Sequence, residues 1–140
     1  MEKAMEEQKK VMAAKAQHEY AVYLYEQRFY EDAVRQLDEV LRDEETGERW
    51  SDWAMAQFAL RRFPEAERGF RRALELSPEL ADAAVNFGAM LGSQSRWTEA
   101  IAMLERALPK LEPDARAAVQ ALAEQCRAQM GAAAEGLGTR

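Results

Sequence analysis

The side chains able to do chemistry in this sequence are few and scattered. His18 is the only histidine and Cys126 the only cysteine. An imidazole beside Glu19 and close in sequence to Tyr25 is a side chain of the type used as a pH switch or a general base. No nucleophile stands at helical spacing from it, so it reads as a polar residue at a groove edge, ahead of a peptide contact and well ahead of a catalyst. Cys126 has no second cysteine for a disulfide or a Cys-x-x-Cys pair, and reads as a buried structural thiol. Glu44 and Glu45 are consecutive acids in DEETGE (43–48), a charged loop expected to be solvated, with no pocket to tune a general acid. Arg61, Arg62, Arg68, Arg71 and Arg72 form a basic cluster of the kind that meets phosphate. Glu65, Glu67 and Glu75 interleave with it at three- and four-residue spacing, the pattern of a solvated helix face. There is no Gly-x-Gly-x-x-Gly and no Gly-Lys-Ser/Thr. The expectation is therefore no catalytic residue, no metal, no cofactor and no enzymatic activity.

Bulk properties point the same way. The chain has 140 residues, 48% apolar and 31% charged, the balance of a globular domain. Net charge is −6, and residues 1–46 hold most of it, with 7 basic against 12 acidic side chains. Phosphate attraction supplies non-specific nucleic-acid affinity, so an acidic chain is not expected to bind nucleic acid. No apolar run approaches the length of a membrane span. The opening stretch MEKAMEEQKKVMAAKAQ lacks the apolar core of a signal peptide, and the expected location is the cytoplasm.

The elements that must position these residues are helices. Apolar residues recur at three and four, and no β-branched alternating run occurs. Three segments align: YEDAVRQLDEVL (30–41), FPEAERGFRRAL (63–74) and WTEAIAMLERAL (97–108). Their alanines Ala33, Ala66 and Ala100 lie 33 and 34 residues apart, and the small residues Ala21, Ala54 and Gly88 precede them by 12 each time. A small residue lets a partner helix approach closely, so each unit is a helical hairpin. Tyr30, Phe63 and Trp97 open the second helix of each pair and plug its end. Leu37, Phe70 and Leu104 continue the inner stripe. Helices are expected at 2 or 3–27, 30–44, 48–60, 63–76, 79–93, 96–109 and 114–130. Ser77-Pro78 signals the fifth start, and Pro113-Asp114 the seventh. The last helix should cover the third pair with Ala118, Leu122 and Cys126, while 131–140, with three glycines, is expected to be a flexible tail.

These motifs resemble the tetratricopeptide repeat family. The correspondence spans 14–114 and is best where Trp50, Trp53, Ala54, Phe63, Ala66, Phe70, Ala73, Leu74 and Pro78 follow the family's order. Gln17 and Glu45 replace the opening tryptophan and closing proline of the first unit, Gln57 replaces a tyrosine in the second, and Pro113 comes one residue late in the third. The resemblance implies an all-α, right-handed superhelix of antiparallel helix pairs, a solenoid of seven helices. One domain is expected over 1–130, with repeats at 14–47, 47–80 and 81–114, a helical extension at 2–13 and a capping helix at 114–130.

The resemblance also implies a concave groove lined by the first helix of each pair. Beside the small packing residues stand His18, Val22, Tyr25 and Glu26, then Met55, Phe58 and Ala59, then Asp82, Val85, Asn86, Ala89 and Gly92. This surface is apolar with an aromatic rim. Of the lysines, arginine and asparagines of the family's carboxylate-gripping variant only Lys15 and Asn86 could contribute, while Glu48 and Asp52 add negative charge. The implied function is a non-catalytic protein-interaction module (adaptor, scaffold or small chaperone) binding an amphipathic or apolar peptide or helix, with a basic residue meeting Glu26 or Glu48. The alternatives are a groove filled by the long first helix, or a homodimer using the groove or the first helix as its interface. Met5, Met12, Ala16 and Tyr20 share one face of that helix, which makes it either a docking arm or a solubilising cap.

Overall fold

A computed structural model describes residues 1–138. Among them are seven α-helices and no strand: α1 (Glu2–Glu26), α2 (Tyr30–Asp43), α3 (Gly47–Ala59), α4 (Phe63–Leu76), α5 (Ala81–Ser93), α6 (Trp97–Ala107) and α7 (Pro113–Gly138). A single 3-10 turn, Leu108–Lys110, follows α6 where Pro109 removes a backbone donor. The helices group into two compact units, Met1–Ser77 and Pro78 onward.

Three hairpins share one turn. Arg28, Arg61 and Ser95 each have φ between 61° and 69°, at spacings of 33 and 34. After each, an amide reaches back five residues to close the helix: Phe29 to the Leu24 carbonyl at 2.8 Å, Arg62 to Gln57 at 2.9 Å, Arg96 to Leu91 at 3.0 Å. The left-handed residue is never glycine, so the turn has no glycine signal in the sequence. Tyr30, Phe63 and Trp97 then open α2, α4 and α6. The Tyr30 ring lies 5.3 Å from that of Tyr25, and Phe63 lies 5.8 Å from Phe58.

Small residues set the spacing inside each hairpin. Ala21, Ala33, Ala54, Ala66 and Ala100 are wholly buried. A Cβ on Gly88 would sit 2.8 Å from Leu104 and 3.2 Å from the Ala100 carbonyl oxygen, so α5 lies directly on α6. In the second hairpin Ala54 meets Gly69, whose added Cβ would stand 2.8 Å from it; that glycine carries no weight in the sequence reading. Leu24, Leu37, Val40 and Trp53 belong to the core of the first unit, and Phe87, Met90, Leu91 and Leu104 are buried in the second.

Several boundaries differ from expectation. Ser77 closes α4 instead of starting α5: its amide donates to the Ala73 carbonyl at 2.8 Å and its side chain lies against Gly47, where any Cβ would fall 2.4 Å from the hydroxyl. Helix α5 therefore begins at Ala81, with Leu80 before it. The DEETGE run is anchored as well as solvated. Thr46 caps α3 by accepting from the Arg49 amide at 3.1 Å, and Arg49 in turn donates to the Glu44 carbonyl at 2.7 Å. The Glu45 carboxylate accepts from Trp50 at 2.8 Å and Arg72 at 3.2 Å, which hold its pKa below the usual carboxylate range. Helix α7 continues through 131–136 to Gly138, where a flexible tail was expected; the alanines at 132–134 are strong helix formers. Thr139 and Arg140 lie outside the described residues.

Candidate functional site

The expected groove residues fall into two sets, one in each unit. In the first, His18, Val22 and Tyr25 on α1 are half-buried and Glu26 is exposed. Met55, Phe58 and Ala59 on α3 are half-buried. What joins α1 to α3 here is a pair missing from the expected site: His18 Nε2 lies 2.6 Å from a carboxylate oxygen of Asp52. Asp52 is 34 residues away, one repeat on, and a polar pair at that separation leaves no local sequence signal. The phenol of Tyr25 is pushed up in pKa by burial first, then by Tyr30 and Asp52.

The aromatic rim is partly committed to packing. Tyr25 and Phe58 occupy equivalent positions and lie against the aromatic residue that opens the next helix. Of the groove residues expected on α1 and α3 and the acids near them, Glu26 and Glu48 are exposed, while Asp52, Met55 and Ala59 are half-buried. An imidazole held on a carboxylate needs a nucleophile to do acyl chemistry. Ser51, the hydroxyl next to Asp52 in sequence, is buried in the helix packing. The pair is a structural tie and a polar edge.

The second set lies on α5. Asp82 and Ala89 are exposed, Val85, Asn86 and Gly92 half-buried. Ala89 and Gly92 form part of the wall of a cavity of about 320 Å³, with Ser93, Trp97, Leu122, Gln125, Cys126 and Gln129. No charged side chain lines it. Of this wall only Ala89 and Gly92 were assigned to the groove; Trp97 reads in the sequence as a hairpin plug and Leu122 as cover.

The rotation of α7 explains the difference. Val119, Ala123 and Cys126 are its buried residues, while Ala118 is exposed and Leu122 half-buried. Of the expected covering face only Cys126 is fully buried. Apolar residues surround α7 over 117–123 (AAVQALA), so the sequence does not define one packed edge. Cys126 is 4% exposed, and burial pushes its thiol pKa up, as expected of a structural cysteine. Its Sγ would lie 3.3 Å from a Cβ on Gly92, so the missing side chain of Gly92 brings α5 and α7 together at this wall.

A further surface is charged. Arg68, Arg71 and Arg72 line a shallow depression on α4. Arg71 pairs with Glu67 at 2.8 Å, Arg72 with Glu75 at 3.0 Å, and Arg68 lies 5.5 Å from the Trp53 ring centroid. Among the described residues no group of three or more His, Cys, Asp or Glu is placed to hold a metal ion, and no helix is long and apolar enough to cross a membrane.

Comparison with known proteins agrees with this architecture. A tetratricopeptide repeat family model matches residues 80–112. No curated protein matches the chain. Among solved structures, the TPR2B domain of yeast Sti1, in a complex titled with pHsp70, is 20% identical over 84% of this chain and 98% of its own, with a TM-score of 0.77. The Yersinia enterocolitica type III secretion chaperone SycD, with a peptide of the translocator YopD, is 13% identical over 83% and 93%, with a TM-score of 0.75. The Arabidopsis OM64 TPR domain is 20% identical over 84% and 97%, also at 0.75.

Proposed function

We propose that this chain, a tetratricopeptide-repeat protein, is a non-catalytic interaction module that takes up a segment of a partner protein. The observation that carries the reading is the uncharged cavity of the second unit. Ala89, Gly92, Trp97 and Leu122 offer carbon surface, while Gln125 and Gln129 offer amides that can meet a peptide backbone. Its volume of about 320 Å³ accommodates a large apolar side chain. In the first unit Met55 and Val22 offer apolar surface of their own, with the acids Glu26, Glu48 and Asp52 on the same two helices, which favours a segment carrying a basic residue. Two structural neighbours are seen with partner-derived ligands, a pHsp70 complex and a YopD peptide, which supports the class of partner. An adaptor, scaffold or small chaperone in the cytoplasm is the role that fits.

The test is site-specific photo-crosslinking. A crosslinking residue at Met55 or Ala89 should capture a discrete partner segment, and one at Ala102, on the exposed side of α6, should not. Gln125→Arg, an exposed change in the wall of the same cavity, should abolish capture at position 89 without changing helical content. Equal capture at Ala102, or none at the first two positions, rejects the reading.

A further inference from the structure

The three hairpins make one aromatic contact twice and then omit half of it. Tyr30, Phe63 and Trp97 open α2, α4 and α6. Five residues before each, at the same spacings of 33 and 34, stand Tyr25, Phe58 and Gly92. In the first hairpin the two rings lie 5.3 Å apart and are inclined by 59°. In the second they lie 5.8 Å apart and are inclined by 56°. In the third a glycine stands where the ring would be, and Trp97 meets no ring among the described residues. The cavity of about 320 Å³ is at that place, with Gly92 and Trp97 both in its wall. A Cβ on Gly92 would point toward α7 and α6, 3.3 Å from the Cys126 sulfur and 3.9 Å from the Ala100 Cβ.

We infer that this cavity is a socket for one aromatic side chain of the partner segment, which takes against Trp97 the place that Tyr25 and Phe58 fill in the first two hairpins. The inference rests on the reading of the chain as a segment-binding module and names what the segment carries. The intact hairpins show what the same backbone geometry holds when a ring is present, both times at the tilt that aromatic pairs favour over a face-to-face sandwich. The space suffices. A cavity of about 150 Å³ already holds benzene, and this one has about twice that volume, room for a phenyl, phenol or indole group. The wall carries no charged side chain, so a lysine or glutamate would enter it unpaired. The exposed amides of Gln125 and Gln129, one turn apart on α7, can exchange hydrogen bonds with the segment's backbone on either side of the inserted residue.

The experiment is two-dimensional amide NMR of the full chain, titrated into the millimolar range with three probes: a blocked tripeptide with phenylalanine between two alanines, the same peptide with leucine, and toluene. The phenylalanine peptide should shift the Trp97 indole and Gly92 amide signals. It should bind about two- to tenfold more tightly than the leucine peptide, the margin an aromatic pair adds beyond its buried area. Gly92→Phe supplies the ring from within the chain, so it should melt no lower than the wild type and lose the response to the peptide. If the close Cys126 sulfur prevents that variant from folding, Gly92→Phe with Cys126→Ala supplies the same ring with the sulfur removed. Equal affinity for the two peptides, no shift with either, uptake of toluene but not of the phenylalanine peptide, or a folded Gly92→Phe chain that still binds it overturns the inference. The two readings fail separately. A segment crosslinked at Ala89 while the two peptides bind alike rejects the ring and keeps the module; preference for the phenylalanine peptide with nothing captured at Ala89 keeps the aromatic socket and rejects the module.

Discussion

Gly88→Ala isolates the contact on which the helical hairpins depend. An alanine in a helix interior is favoured over glycine by about 1 kcal/mol. At Gly131, where an added Cβ meets nothing within 4 Å, that gain should appear almost undiminished. At Gly88 the same carbon would stand 2.8 Å from two carbons of Leu104, about 1 Å inside a normal carbon–carbon contact, and 3.2 Å from the Ala100 carbonyl oxygen. Leu104 is wholly buried and has no solvent to swing into. Overpacking of this kind costs about 1–3 kcal/mol, so Gly88→Ala should lie about 1–3 kcal/mol below Gly131→Ala on one stability scale. Leu104→Ala should uncouple the effect: in that background Gly88→Ala should lose most of its penalty. Urea unfolding followed by circular dichroism gives the comparison. Hydrogen exchange of α5 and α6 amides confines it to the second unit, since two compact units need not unfold together. If Gly88→Ala stabilises as much as Gly131→Ala, α5 and α6 do not approach as described.

Ser95→Gly should stabilise by about 0.5–1 kcal/mol, because Ser95 is exposed and holds a φ of 61° that costs an L-residue and not glycine; thermal unfolding reads it. Arg61→Gly should gain less, since its guanidinium, 5.4 Å from the Phe63 ring centroid, is lost. Glu45→Gln should lower the melting temperature at neutral pH. Because the folded-state pKa of Glu45 is depressed by Arg72 and then Trp50, the wild-type advantage is complete above its ordinary value of 4.5 and vanishes as pH falls through the lower folded value; melting curves across that range check the sign. Cys126 should react with an aromatic disulfide reagent at least about tenfold more slowly in the folded chain than in denaturant, since burial both hides the sulfur and disfavours its thiolate.

What the sequence determined by itself was the hairpin arithmetic. Constant spacing of Ala21, Ala54 and Gly88 from Ala33, Ala66 and Ala100 is a one-dimensional record of close helix contact, because residues that must be small for their nearest neighbour in the chain stay small in every repeat. Helix order, the aromatic residue opening each second helix and the burial of Cys126 follow from that local pattern. Tertiary structure alone decided the rotation of α7, the His18–Asp52 pair, the cavity that Trp97 and Leu122 share with Gly92, and the anchoring of Glu45 by Arg72. Each of these joins residues on different helices, and none is written as a period: an alanine-rich helix such as α7 buries any of several faces at similar cost, and a polar pair 34 residues apart forms only once packing has brought its two helices side by side.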